Sequence, residues 1–313
     1  MKKSRLYYYP KGDGSNDYLN SCRRIWSYCG FESKPLGGFR ENFFNIRNRE
    51  ELLILNWFED RIGGSKRPYM ALLKSILLMI VLRLRFRKIV WVRHNYYPHS
   101  KFKIKHHILL VRLLRRISDV ALVHRHGLSK DFRYASHPLY SSESVQTKNR
   151  DRDIDFLYFG AVKGYKGLVE LLEDWPVEKS LCMLGRSDDL SLTKHIGEVI
   201  NKRKLDVTWQ NSFIEYDQLC HYIARSKYVV LPHNPNTMIV TGAFYHAISF
   251  WASVLMRRGA MYTEYFSKFR GVYDLDDFLL NKSLSNGPGI VDPMDYFCDE
   301  SVAERWRLAL ESA

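Results

Sequence analysis

Short apolar runs alternate with helix-length amphipathic stretches along this chain, and the alternation breaks once and then restarts. In the first series, strands are expected over "SRLYYYP" (4–10), "ELLILNWF" (51–58), "KIVWV" (88–92) and "SDVALVH" (118–124). Helices are expected over "YLNSCRRIWSYCG" (18–30, closed by Gly30), 70–84 and "HHILLVRLLRRI" (106–117). The polar stretch "SSESVQTKNRDRD" (141–153) reads as a linker. Beyond it come strands over "IDFLYFG" (154–160), "SLCMLGR" (180–186), "LDVTWQ" (205–210) and "YVVLPH" (228–233). Helices over "LVELLEDW", 190–203 and "YDQLCHYIARS" lie between them. Strands separated by helix-length crossovers pair in parallel. Two such series predict two doubly wound α/β domains facing a cleft.

Composition supports a folded chain. Of 313 residues, 46% are hydrophobic, enough for a full core in each domain and against disorder. The net charge of +14 calls for an anionic partner: nucleic acid, an acidic membrane surface or a phosphorylated ligand. Five scattered cysteines fit reduced thiols in a cytosolic compartment, with neither a disulfide framework nor a zinc site. The start, "MKKSRLYYYP", carries no apolar h-region, so no signal peptide is expected. "ALLKSILLMIVLRLRF" (71–86) is the most apolar segment, but its uncharged part from Ser75 to Leu82 falls far short of the roughly 20 residues a span needs. Two readings stand for it: a core helix with a solvated basic end (Arg83, Arg85, Arg87, Lys88), or an interfacial helix whose cations meet anionic lipid.

Two stretches of the second series suit phosphates. "FLYFGAVKGYKG" (156–167) runs from a strand into a glycine-rich loop and then a helix. Gly160 and Gly167 let backbone approach a ligand, and Lys163 and Lys166 add point charges, a combination suited to a diphosphate. It matches neither the Walker loop nor the strict dinucleotide fingerprint. In "YVVLPHNPNTMIVTGAFYHAISF" (228–250), Thr241 is placed to cap a helix and Gly242 to open it. The N–H groups there suit a second phosphate or sugar hydroxyls, and His246 follows one turn later. Ordinary turn and cap chemistry is the alternative for both stretches.

In order and spacing, these motifs resemble bacterial nucleotide-sugar glycosyltransferases of the GT-B fold, the glycosyltransferase family 4-like enzymes that build exopolysaccharide, capsule or O-antigen. The resemblance spans roughly residues 5–265. It is carried by "SNDYLNSCRRIWSYCGFE", "LLILNWFED", "KIVWVRHNYYPH" (like "VWTxHNxxPH"), "SHPLY" (like "HPxY") and "FLYFGAVKGYKGL" (like "FFGxxxxYKGL"). It implies Rossmann-like domains over 1–145 (acceptor) and 154–290 (donor), with a C-terminal helix in 291–313 packing back on the first. It also implies transfer from a nucleotide-diphosphate sugar to a lipid-linked saccharide acceptor, as in lipopolysaccharide assembly. Neither metal nor cofactor is expected, since lysines and helix starts can neutralise the diphosphate and no Asp-x-Asp box occurs. The enzyme would be cytoplasmic, peripheral at the inner face of the cytoplasmic membrane. The departures are Ala161 where the family often has Arg, Met238 and His246 where retaining members carry two glutamates, and Asn56 where histidine is common.

The resemblance places the acceptor at the strand ends of the first domain. His94 lies in the pH range of a general base, and Asp17 is the rival carboxylate, with Asp13 a weaker one. Asn16, Asn95 and His99 would bind the acceptor, though His99 and His137 both read equally as structural. Glu215, with Tyr216, falls in a loop that contacts base or ribose in this fold; a helix-start charge is the simpler reading. Two other classes remain: a non-catalytic GT-B-like interaction protein, and a nucleic-acid-binding protein, which the dispersed charge disfavours.

Overall fold

The computed structural model describes residues 4–12, 16–44, 50–63, 65–95, 104–140, 151–233, 239–285 and 287–311. They form two compact units. One takes in the chain to Pro138, a short stretch ending at Val240 and the C-terminal segment from Cys298; the other runs from Leu139 to Phe297 apart from that stretch.

The first unit is a parallel sheet in the order β2-β1-β3-β4-β5-β6. Its strands are β1 (Ser4–Tyr9), β2 (Phe31–Pro35), β3 (Glu50–Asn56), β4 (Phe86–Val92), β5 (Val120–Val123) and β6 (Arg133–Tyr134). Its helices are α1 (Asp17–Tyr28), α2 (Phe39–Phe44), α3 (Pro68–Arg85) and α4 (Ile104–Ile117). The central strands β3 and β4 are buried over Leu52–Asn56 and Ile89–Val92, as a sheet covered on both faces requires. β2 went unread because "FESKP" is polar; it sits at the sheet edge, with no residue fully buried. The second expected strand stops at Asn56, where Trp57 takes φ +49° and turns the chain into a short 3-10 segment, Phe58–Ile62.

α3 explains the ambiguity of segment 71–86. It buries Leu78, Met79, Val81 and Leu82, yet Tyr69, Met70, Leu73, Leu77, Ile80 and Leu84 are exposed, so both faces are apolar. Its basic end is not uniformly solvated. Arg85 is buried, its guanidinium 5.3 Å over the rings of Tyr7 and Phe86 and donating to Asn42 Oδ1.

The second unit is a parallel sheet in the order β12-β11-β10-β7-β8-β9. Its strands are β7 (Ile154–Phe159), β8 (Leu181–Leu184), β9 (Val207–Gln210), β10 (Ser226–Leu231), β11 (Ser253–Met256) and β12 (Val272–Asp274). Its helices are α5 (Leu168–Asp174), α6 (Leu190–Arg203), α7 (Tyr216–Arg225), α8 (Gly242–Ser249), α9 (Ala260–Lys268), α10 (Leu275–Asn281) and α11 (Pro293–Tyr296). Phe156, Trp175 and Phe278 pack edge-on and tilted against one another in its core, with ring centroids 5.1–5.5 Å apart. Residues 141–150 of the expected linker lie outside the described residues. Its end is tied to this unit: Arg152 donates to the carbonyls of Ser226 and Phe250, and Asp153 pairs with Arg225.

The last helix, α12 (Asp299–Glu311), belongs to the first unit and packs on α1. Arg24 grips Asp299 with two hydrogen bonds, at 2.7 and 3.1 Å. Trp306 is fully buried against Trp26, and its indole N–H donates to the Ser136 carbonyl at 2.9 Å.

Candidate functional site

In the second unit, the chain leaves β7 toward β8 and leaves β10 toward β11, while β7 and β10 are neighbours. Open α/β sheets bind ligands at such a reversal, outside the carboxyl ends of the strands, here those of β7 and β10. Gly160, Lys163, Lys166 and Gly167 follow β7; His233 follows β10. Gly160 takes φ +121°, and Gly167 takes φ +70° at the turn into α5. A Cβ on Gly167 would lie 2.8 Å from the Pro232 carbonyl oxygen, so glycine there brings the two loops together. Gly167→Ala is expected to cost about 2–3 kcal/mol, from left-handed backbone plus that contact. Urea unfolding measures it, and a cost below 0.5 kcal/mol would contradict the close approach.

Lys166 is largely withdrawn from water; burial, and then the Lys163 charge, lower its pKa. His233, 7% exposed, is pushed down to about 3 by burial and by Lys166. No carboxylate contributes to either shift. Among the described residues, no carboxylate offsets the cost of withdrawing the half-buried Lys166 cation from water.

The remaining donor-side candidates diverge. Gly242 opens α8 so close to Tyr140 that a Cβ would lie 2.6 Å from the phenol oxygen. Thr241 occupies the cap position but makes no side-chain cap bond, so the expected cap chemistry is not there. Glu215 stands just before α7, likewise without a side-chain cap bond. His246 is walled by Tyr140, Tyr216 and Phe159 at ring distances of 4.6, 5.6 and 5.8 Å. Burial pushes it down to about 4, so near neutral pH it offers contact without positive charge.

In the first unit the corresponding reversal lies between β1 and β3, and their carboxyl ends carry the other candidates. Asn16 caps α1, its Oδ1 accepting from Leu19 N–H at 3.0 Å, and Asp17 is the first helical residue. Burial raises the Asp17 pKa. His94 stacks on Trp57 at 4.1 Å and 21°, with Tyr18 edge-on at 4.9 Å.

The hydrogen bonds fix proton positions. Asn56 Nδ2 donates to the Tyr9 carbonyl, so its Oδ1 accepts from His94 Nε2–H at 3.1 Å. That leaves Nδ1 as the basic nitrogen of His94. His124 Nδ1 donates to the Ala135 carbonyl at 2.7 Å, so its Nε2 accepts from the Tyr18 hydroxyl at 2.8 Å. His137 completes the cluster, 5.0 Å from both Tyr18 and His124. Burial, with His124 and His137 adding to it, holds His94 well below the ordinary range. The ring is thereby held in its unprotonated form, the form in which Nδ1 can accept a proton or a hydrogen bond. Asn95 is tied to Asp60 at 3.3 Å. His99 and Asp13 lie outside the described residues. Sequence reading missed Tyr18, Trp57 and His124, which reach His94 from three separate segments; no local pattern marks them.

His94, His124, His233 and His246 are all held neutral by burial. Unfolded, each gains a proton below pH about 6.5. As pH falls from there toward 4, the unfolded chain binds more protons than the native one, and stability drops by up to about 1.4 kcal/mol per pH unit per histidine. Glu59, pushed up to about 7 by burial, acts oppositely, because its native carboxyl protonates first. His107, lowered by burial, adds to the four histidines, and Asp17, raised by burial, adds to Glu59, so five groups against two predict a melting temperature that declines from pH 6.5 to 4.5. A flat profile in differential scanning fluorimetry would contradict the burial of these rings.

No protein-family model matches the chain, and no curated protein does. Solved structures do. HepE of Anabaena, in complex with UDP and glucose, is similar at TM-score 0.56 and 10% identity, covering 98% of this chain and 95% of that one. AviGT4, a glycosyltransferase involved in avilamycin A biosynthesis, gives 0.57 and 12%, covering 99% of both chains. A glycosyltransferase from Rickettsia africae gives 0.58 and 9%, covering 100% of both. The likeness establishes the fold: two parallel α/β units of the GT-B type.

Proposed function

We propose that this chain is a glycosyltransferase that moves a sugar from a nucleotide-diphosphate donor to a saccharide acceptor. The observation that carries the reading is Lys166, a desolvated cation beside His233 at the strand reversal of the second unit, on a fold shared with a structure that holds UDP and glucose. Lys166 and Lys163 neutralise the donor diphosphate, Gly160 admits it to the backbone, Gly167 lets the two loops close beside it, and the Thr241–Gly242 turn, Glu215 and the rings around His246 contact the rest of the nucleotide sugar.

The first unit takes the acceptor. The acceptor oxygen bonds to the anomeric carbon as the bond to the diphosphate breaks; the diphosphate leaves with that electron pair, and the hydroxyl proton passes to a base. His94 Nδ1, held neutral, and Asp17, its carboxyl raised by burial, are the two groups for that proton. Asn16 and Asn95 border them. If Asp17 takes the proton, Asp17→Asn lowers kcat by about 10²–10⁴-fold and His94→Gln mainly raises KM; the reverse pattern assigns it to His94. Turnover unchanged in both variants would remove this site from the reaction. A metal-independent transfer persists in EDTA.

Among the described residues, no helix is long and apolar enough to cross a membrane. The exposed apolar face of α3 carries no acidic residue and is joined by exposed Phe39, Phe43 and Phe44 of α2. Anionic lipid attracts such a basic, apolar face. We therefore place the protein peripherally at the inner face of the cytoplasmic membrane, with a lipid-linked acceptor in surface-polysaccharide assembly of the lipopolysaccharide, O-antigen or capsule type.

The test is thermal stability against UDP, GDP, CMP, dTDP and ADP. A ligand at 100 times its Kd adds about 2.7 kcal/mol. One clear responder supports the donor site and names its base. Silence across the panel favours a non-catalytic binding protein, the reading that Ala161 in place of arginine supports.

A further inference from the structure

An open pocket of about 440 Å³ lies at the start of α3, on the carboxyl-end side of the first sheet, where Arg61 reaches over Tyr9 at the end of β1. Arg61, Lys66, Arg67 and Lys74 line it, and no carboxylate does. Like charges gathered without a counter-ion repel, a cost that persists in folds mainly where a ligand relieves it. Two further observations point to an anion. Arg61 holds its guanidinium 5.1 Å over the rings of both Tyr9 and Phe58, and its Nε is buried without a hydrogen-bond partner. Arg67 stands at the cap position of α3 but makes no side-chain cap bond, so the first-turn N–H groups of an eighteen-residue helix face the same region uncapped.

The pocket is not polar throughout. Met70 and Ala71 form part of its wall. From Met70 the exposed apolar residues Leu73, Leu77, Ile80 and Leu84 continue along the helix. An apolar groove of about 240 Å³, lined by Ile80, Leu84, Leu113 and Ile117 among others, lies at the far end. A cationic pocket opening onto an apolar track has the chemistry of a phosphate headgroup with its hydrocarbon chain.

We propose that this pocket binds the terminal phosphate or diphosphate of a membrane lipid, and that the lipid chain lies along the exposed face of α3. Arginine forks and lysine point charges suit a terminal phosphate with two acidic oxygens better than a phosphodiester, which has one. The inference rests on the membrane part of the proposed function and is independent of the donor site.

The experiment is co-sedimentation of the full chain with phosphatidylcholine vesicles. One set contains phosphatidic acid, a phosphomonoester; the other contains phosphatidylglycerol, a phosphodiester, matched in surface potential. The wild type is expected to partition about 5–10-fold more strongly onto phosphatidic acid, the ratio of roughly two charge-assisted contacts made or missed at about 0.5–0.7 kcal/mol each in a wet site. Lys66→Ala with Lys74→Ala should collapse that ratio to one. The control, Arg112→Ala with Arg116→Ala on α4, removes the same charge outside the pocket and should lower both partitions while keeping their ratio. A wild-type ratio of one with binding intact overturns the pocket and leaves the membrane reading standing. No binding to either vesicle overturns both. Equal loss of ratio in the two double variants assigns selectivity to diffuse charge and overturns the pocket. Stabilisation by inorganic phosphate, lost in Lys66→Ala with Lys74→Ala and unaccompanied by vesicle selectivity, would make the ligand a soluble phosphate and overturn the lipid assignment.

Discussion

Lys166→Ala is expected to cut the stabilisation that the responding nucleotide diphosphate gives at 100 times its wild-type Kd from about 2.7 to about 0.3–1.4 kcal/mol. A charge-assisted hydrogen bond contributes about 1.5–3 kcal/mol, so affinity falls roughly 10- to 150-fold. The same variant without ligand should be as stable as the wild type or slightly more so. Lys166 is a cation that burial disfavours and that no carboxylate offsets, so deleting it removes an electrostatic cost. Unchanged stability with a reduced ligand response separates a binding role from a structural one. Lys163→Ala should weaken binding less, because Lys163 is exposed and its charge is screened. A nucleotide response undiminished by Lys166→Ala would put the diphosphate elsewhere.

Trp306→Ala is expected to lower the stability of the first unit by about 3–5 kcal/mol, the usual range for emptying a large buried aromatic site. In a unit of this size that is roughly 6–20 °C of melting temperature. The indole is fully buried, edge-on to Trp26 at 5.9 Å and 6.2 Å from His124, so the cavity would open beside the cluster that holds His94. Trp306→Phe keeps most of the contact but leaves the Ser136 carbonyl without its indole donor, at about 1–2 kcal/mol. Leu308, 58% exposed on the same helix, provides the control, and its change to Ala should stay within about 0.5 kcal/mol. Chemical denaturation followed by tryptophan fluorescence reads all three. If Trp306→Ala behaves like Leu308→Ala, α12 is not anchored as described.

Much of the architecture was legible in the sequence. The runs at 51–56, 88–92, 154–159 and 226–231 are apolar over strand length, and helices of matching amphipathicity lie between them. Parallel pairing follows from that alternation; the strand order of each sheet does not. The glycine-lysine loop after β7 was legible too, because glycine and lysine act there through backbone freedom and charge, which are properties of the residues themselves. β2 was not, since an edge strand of polar residues buries too little to leave a pattern.

The chemistry within the candidate site was decided elsewhere. His94 reads in the sequence as an imidazole with an ordinary pKa; Asn56, from a distant segment, accepts its Nε2 proton, and Tyr18, Trp57 and His124 pack around the ring and withdraw it from water. Arg85 reads as one cation of a basic end, yet Tyr7, Asn42 and Phe86 enclose it. Thr241 has the residue type of a cap and makes none of its bonds. Periodicity and backbone preference act over some ten neighbouring residues, so the sequence alone determined the elements and their order. Desolvation and proton placement depend on which atoms stand within a few ångströms, and only the tertiary structure decided that.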